Sequence, residues 1–134
     1  MIGIDTNVLV RYIVQDHPAQ ASAATRFIEK RCTAAEPGWI ADLVLCELVW
    51  VLERGYGYKR HEIAEVLKKV LASIELRVQS SDMVWRAVRR YEEGGAGFAD
   101  CFLGLANREH KACPTHTFDR KAAAHADLFQ LIKS

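Results

Sequence analysis

Four carboxylates stand in or beside apolar segments of this chain. Asp5 ends Met1-Ile2-Gly3-Ile4, and Glu47 separates Leu43-Val44-Leu45-Cys46 from Leu48-Val49-Trp50-Val51-Leu52. Asp100 opens Cys101-Phe102-Leu103-Gly104-Leu105-Ala106, and Asp119 follows Cys113-Pro114-Thr115-His116-Thr117-Phe118. A carboxylate held among apolar groups must be exposed, paired or bound to a cation. If the four converge, their oxygens suit a hard divalent cation, Mg²⁺ or Mn²⁺. Each acid also has a structural use. Asp5 can make an Asx turn or cap the following segment, and Asp100 and Asp119 suit helix starts. Glu47 is harder to assign to structure, because no Lys or Arg lies three or four residues from it. Asn7 and Thr117 are candidate supporters that orient the carboxylates by hydrogen bonding. Ordinary turn chemistry is their alternative.

The elements that must position these groups alternate between strand and helix. Strands are expected at Ile2 to Ile4, Trp39 to Ala41, Ile74 to Val78, Cys113 to Thr117 and Leu128 to Ile132. Pro18 suits the first turn of a helix reaching Cys32. Leu43 to Arg54 reads as a helix stopped by Gly55 and Gly57, apolar nearly all round and therefore buried. His61 to Ser73 is amphipathic, with Ile63, Val66, Leu67, Val70 and Leu71 as its core face. Ser80 or Ser81 caps a helix through Glu93. After a turn at Gly94-Gly95-Ala96-Gly97, Phe98 to Lys111 is helical, as is Asp119 to His125. This order predicts an α/β fold, three-layer α/β/α, with a central mostly parallel sheet of four or five strands. Sites in such sheets form beyond the carboxyl ends of strands, where Asp5 and Asp119 fall.

Bulk properties are those of one ordinary domain, residues 1–134. Half of the 134 residues are hydrophobic and the net charge is +1, so overall charge does not announce nucleic acid. No apolar stretch reaches the roughly 18–20 residues of a membrane helix, and no basic-then-apolar leader opens the chain. A cytoplasmic location without a membrane partner is the expectation. Cys32, Cys46, Cys101 and Cys113 lack any metal or Cys-x-x-Cys spacing and read as buried free thiols. His116 should face away from Thr117 on its strand and reads as a packed histidine. Trp39, Trp50 and Trp85 read as core.

Ile-Asp-Thr-Asn-Val-Leu-Val-Arg, Cys-Glu-Leu-Val-Trp-Val-Leu, Phe-Ala-Asp-Cys-Phe-Leu and Thr-Phe-Asp-Arg-Lys, in that order, resemble the motifs of PIN domains. The chain is most similar to VapC-type toxins of type II toxin–antitoxin systems. That resemblance covers essentially the whole chain. It implies an endoribonuclease dependent on Mg²⁺ or Mn²⁺, cutting structured RNA (tRNA or rRNA) by metal-activated water. By motif, Asp5, Glu47, Asp100 and Asp119 are its catalytic and metal-binding acids, with Asn7 and Thr117 in support. The resemblance further implies a homodimer restrained by a VapB-type antitoxin. Arg11, Arg86, Arg120 and Lys121 are candidate RNA contacts, whose hold should weaken as salt rises. A non-catalytic PIN-like RNA-binding or scaffolding module and a DNA-directed nuclease are the alternatives. A haloacid-dehalogenase-type phosphatase fits poorly, because position 7 is Asn where that class carries a second Asp.

Overall fold

Short strands followed by long amphipathic helices favour parallel pairing, since a parallel strand can be reached only by a crossover. A computed structural model describes residues 1–134 and divides into two compact units, Met1–Ser81 and Asp82–Ser134. In the first, β1 (Ile2–Gly3), β2 (Gly38–Ile40) and β3 (Leu76–Val78) pair parallel in the order β1-β2-β3. Between β1 and β2 run α1 (Thr6–Val14), α2 (Pro18–Arg26) and a π-helical turn (Phe27–Arg31), and between β2 and β3 run α3 (Asp42–Tyr56) and α4 (Arg60–Ala72). In the second unit, α5 (Ser81–Glu93), which starts at the boundary, and α6 (Phe98–Glu109) precede β4 (Thr115–Thr117). The short α7 (Arg120–Ala123) then crosses to β5 (Phe129–Leu131), which pairs parallel with β4. The α/β class and the parallel pairing hold. The five strands form one ladder of three and one of two.

Local chemistry accounts for the boundaries. Pro18 takes the first position of α2, and His17 caps it by accepting from the Gln20 N–H through Nδ1 at 3.3 Å. Gly57 ends α3 with φ 65°, a left-handed conformation in which its N–H bonds to the Leu52 carbonyl. Gly38 is required for another reason. A Cβ there would run into the end of the Ile4 side chain and lie 3.1 Å from Cys32 Sγ, so a larger residue would have to displace these packed side chains. Backbone bonds from Ile4 N to the Trp39 carbonyl, 3.1 Å, and from Ile2 N to the Pro37 carbonyl, 2.9 Å, then hold the first strand in place.

Leu9, Ile28, Ile40, Leu45, Leu48, Leu52, Ile63 and Leu67 fill the interior of the first unit; Val84, Tyr91, Phe98 and Leu128 fill that of the second. Four expectations from sequence need correction. Helix α3 is not buried all round: Leu45, Leu48, Val49 and Leu52 face inward, while Leu43 and Trp50 are 70% and 59% exposed. The Arg54 guanidinium lies 5.7 Å above the Trp50 ring, which gives this tryptophan a polar companion instead of a core position. His116 does alternate with Thr115 and Thr117, but its face of β4 is the exposed one. Of the cysteines, only Cys32 and Cys101 are buried; Cys46 is half-buried and Cys113 exposed.

The polar anchor of the second unit is Asp127. It receives two parallel bonds from Arg90, the Nη1–Oδ1 one 2.8 Å long, and a third from Arg108 at 3.3 Å. Hydrogen bonds from the Arg90 guanidinium hold the Asp127 carboxyl down at about 2. Because the folded value is depressed, the stabilisation is present at neutral pH and is lost as pH falls from about 4 towards 2. Replacing Asp127 with Asn should lower unfolding free energy at pH 7 by about 1 kcal/mol, allowing for a half-exposed carboxylate. Urea titrations of the two proteins should converge near pH 2.

Candidate active site

Two of the four acids belong to the first unit, and a threonine joins them. Asp5 follows β1 and caps α1, its Oδ1 accepting from the Thr6 N–H at 2.7 Å. Thr6 is buried, so its hydroxyl needs a partner. It donates to Glu47 Oε1 at 2.8 Å. Helix α1 packs on α3, and that contact brings a residue of the first turn of α1 to one in the second turn of α3. Thr6 was not among the residues singled out from sequence. Asn7 beside it is exposed and lines the cleft that Asp5 also lines, and it makes no hydrogen bond to a carboxylate.

The other two acids belong to the second unit. Asp119 caps α7, its Oδ1 accepting from Lys121 N at 2.8 Å and Ala122 N at 3.4 Å. Thr117 Oγ1 accepts from the Asp119 backbone N–H at 2.9 Å and so fixes where this cap begins. Asp100 lies half-buried in the first turn of α6. Burial pushes its carboxyl above the usual carboxylate range, and the negative charge of Asp119 pushes it further the same way.

Three other acids tie segments of the chain together. Asp42 accepts from the Ser80 hydroxyl at 2.6 Å and the Ser80 N–H at 3.1 Å. Asp16 pairs with Arg11 at 3.2 Å and Tyr56 at 2.9 Å, and Asp127 pairs with Arg90. Asp5, Glu47, Asp100 and Asp119 pair with no Lys, Arg or His. Each keeps at least one carboxylate oxygen free of protein donors, while Asp5, Glu47 and Asp119 are steadied through the other. Three of them are exposed, so only Asp100 bears the burial penalty that the flanking apolar residues suggested for all four. Their neighbours are buried instead, because each acid stands at a strand end or on the outward side of a helix. No group of three or more His, Cys, Asp or Glu side chains is placed to hold a metal ion. Steadied, uncompensated carboxylate oxygens are nonetheless a donor set suited to a hard divalent cation.

A cleft of about 790 Å³ opens beside Asp5, lined also by Asn7, Arg11, Gln20 and Phe27. Of the basic candidates, Arg11 is therefore next to an acid. Arg120 and Lys121 are exposed and follow Asp119 directly. Arg86, on α5, lies 3.9 Å from Glu109.

Residues 2–128 match the PIN domain family, and the chain belongs to that family. Its PIN-like α/β/α fold is the one expected from sequence. It is similar to a VapC ribonuclease of Aquifex aeolicus (strain VF5), with 26% identity over 118 residues, 88% of this chain and 87% of the relative. No solved structure matches it.

Asp100 tests whether this unpaired charge is held against the interest of stability. A carboxyl whose folded value is raised destabilises the fold at pH values where it is ionised. Asp100→Asn should therefore melt at a higher temperature than the wild type at pH 7. The difference should shrink as pH falls into the carboxylate range. Mn²⁺ should raise the melting temperature of the wild type more than that of the variant.

Proposed function

We propose that this protein is a divalent-metal-dependent endoribonuclease of the VapC type, a toxin in which residues 1–134 act as a single PIN domain. The observation that carries the reading is the match of residues 2–128 to the PIN domain family with all four motif acids present, two of them, Asp5 and Glu47, held by the N–H and hydroxyl of one buried residue, Thr6. By the motifs they carry, Asp5, Glu47 and Asp100 would bind or orient Mg²⁺ or Mn²⁺. Asp119 would complete a second, weaker position or hold water. When bound, the cation supplies an activated water and neutralises charge developing on the phosphate.

The protein's own contribution is orientation. Thr6 holds Glu47 through one oxygen and leaves the other open, and its N–H does the same for Asp5. Thr117 and the first turn of α7 fix Asp119. The charge of Asp119 bears on Asp100, and a cation held by both would relieve that repulsion. Without a cation the same carboxylates repel RNA phosphates. Arg120 and Lys121, and Arg86 once released from Glu109, would hold the phosphate backbone, with Arg11 a further RNA contact at the cleft beside Asp5. The substrate class on this reading is structured RNA, tRNA or rRNA. The working form is a cytoplasmic homodimer restrained by a VapB-type antitoxin.

Purified protein should cut total tRNA or rRNA at discrete positions with Mg²⁺ or Mn²⁺, and stop in EDTA. Asp5→Asn should lose more than about 100-fold of that activity while keeping its circular dichroism spectrum, since losing an orienting residue alone is worth about 10–100-fold. An active Asp5→Asn protein would remove Asp5 from the site. For Thr6→Val the expected loss is about 10–100-fold, with Thr6→Ser restoring most of it. Full activity in Thr6→Val would show that Glu47 needs no anchor.

A further inference from the structure

The cleft beside Asp5 carries a second arrangement that the acids do not use. Arg11 on α1 and Gln20 on α2 face each other across it, with Arg11 Nε donating to Gln20 Oε1 at 2.8 Å. Arg11 Nη1 is engaged by Asp16 Oδ1 at 3.2 Å and the Tyr56 hydroxyl at 3.3 Å. Those bonds fix both side chains and leave two donor groups unused, Arg11 Nη2 and the Gln20 amide NH₂. Phe27 adds an aromatic ring to the same lining, with the Arg31 guanidinium 5.9 Å from its centroid. The cleft volume, about 790 Å³, lies within the range of pockets that take small organic groups. Asp5 is part of the wall, so a group seated here is joined to whatever Asp5 acts on.

An aromatic ring beside paired hydrogen-bond donors is the chemistry that recognises an unstacked nucleobase. Donors alone, with Gln20 Oε1 already occupied, select an edge of acceptors. Guanine offers O6 and N7, and uracil offers a carbonyl at the corresponding edge. Adenine and cytosine place an amino donor there, which would confront the Arg11 and Gln20 donors. We infer that the cleft between α1 and α2 is a nucleobase subsite that prefers keto bases, guanine and uracil, for a nucleotide flanking the phosphate handled at Asp5. This rests on the ribonuclease reading for its position in the substrate, though not for its chemistry.

The test is fluorescence anisotropy with labelled single-stranded oligouridylate and oligocytidylate, in EDTA at low ionic strength, so that no cleavage is needed. Acid–phosphate repulsion is common to both probes and leaves their ratio unaffected. Wild type should bind oligouridylate about tenfold more tightly. Gln20→Ala should remove the preference, and so should Gln20→Glu, which keeps an acceptor towards Arg11 and deletes the donor. Both changes fall on an exposed helix position, and circular dichroism checks their folding. Equal binding of the two probes by wild type, or a preference unchanged in both variants, overturns the inference and leaves the cleft to a polypeptide partner. RNA cleavage with Mn²⁺, measured alongside, separates the two readings. Cleavage without base preference overturns the subsite alone. Preference without cleavage supports the subsite and overturns the ribonuclease.

Discussion

The approach of β2 to β1 at Gly38 sets the geometry of the first unit's acidic pair. The first strand has only two residues, so few ladder bonds define it. Backbone bonds to the Pro37 and Trp39 carbonyls hold it, and the Ile4, Leu76 and Cys32 side chains close into the space that Gly38 leaves. Once Ile4 is held there, Asp5 must emerge beyond the carboxyl end of the strand and begin α1. Thr6 then falls in the first turn, buried, with its hydroxyl towards α3. The Thr6–Glu47 bond is thus a consequence of how a strand two residues long is kept in register.

The second unit reaches a similar arrangement by other means. Gly104 in α6 faces Phe129 of β5, whose ring would lie 2.6 Å from any Cβ at that position. Asn107 on the same helix donates to Thr115 of β4 at 2.8 Å. Helix α6, which carries Asp100, is therefore seated on the two-stranded ladder that leads into Asp119. Arg90, Arg108 and Asp127 supply the paired charge in this unit, while Asp100 and Asp119 are left unpaired. Stabilising ion pairs and unpaired carboxylates are segregated onto different residues, so each set can be altered without dismantling the other.

How much of this is legible in the sequence follows from the range of each effect. Asp5, Glu47, Asp100 and Asp119 are conspicuous because their neighbours are apolar, a purely local signal. Strand and helix order is local as well, and Pro18 and Gly57 mark their ends through backbone chemistry. The partner of Glu47 is not local. It depends on α1 lying against α3, and Asn7 is as eligible as Thr6 until burial separates them. Trp50 and His116 fail for a related reason: periodicity shows that two faces exist but not which one the rest of the chain covers. The Arg11–Gln20 pair joins residues nine apart on different helices, a relation that no helical or strand period expresses.

Two of the unpaired acids, Asp5 and Asp119, are also helix caps. Asparagine caps a helix about as well as aspartate, but it brings no charge to a cation. For these two codons, a single-base change is enough to turn one residue into the other. On the proposed reading, a folded, inert form of this protein therefore lies one nucleotide away at two separate places in its gene. The route to loss of charge at these caps is therefore short and leaves the helix ends intact. Any partner that recognises shape alone would still bind what remains.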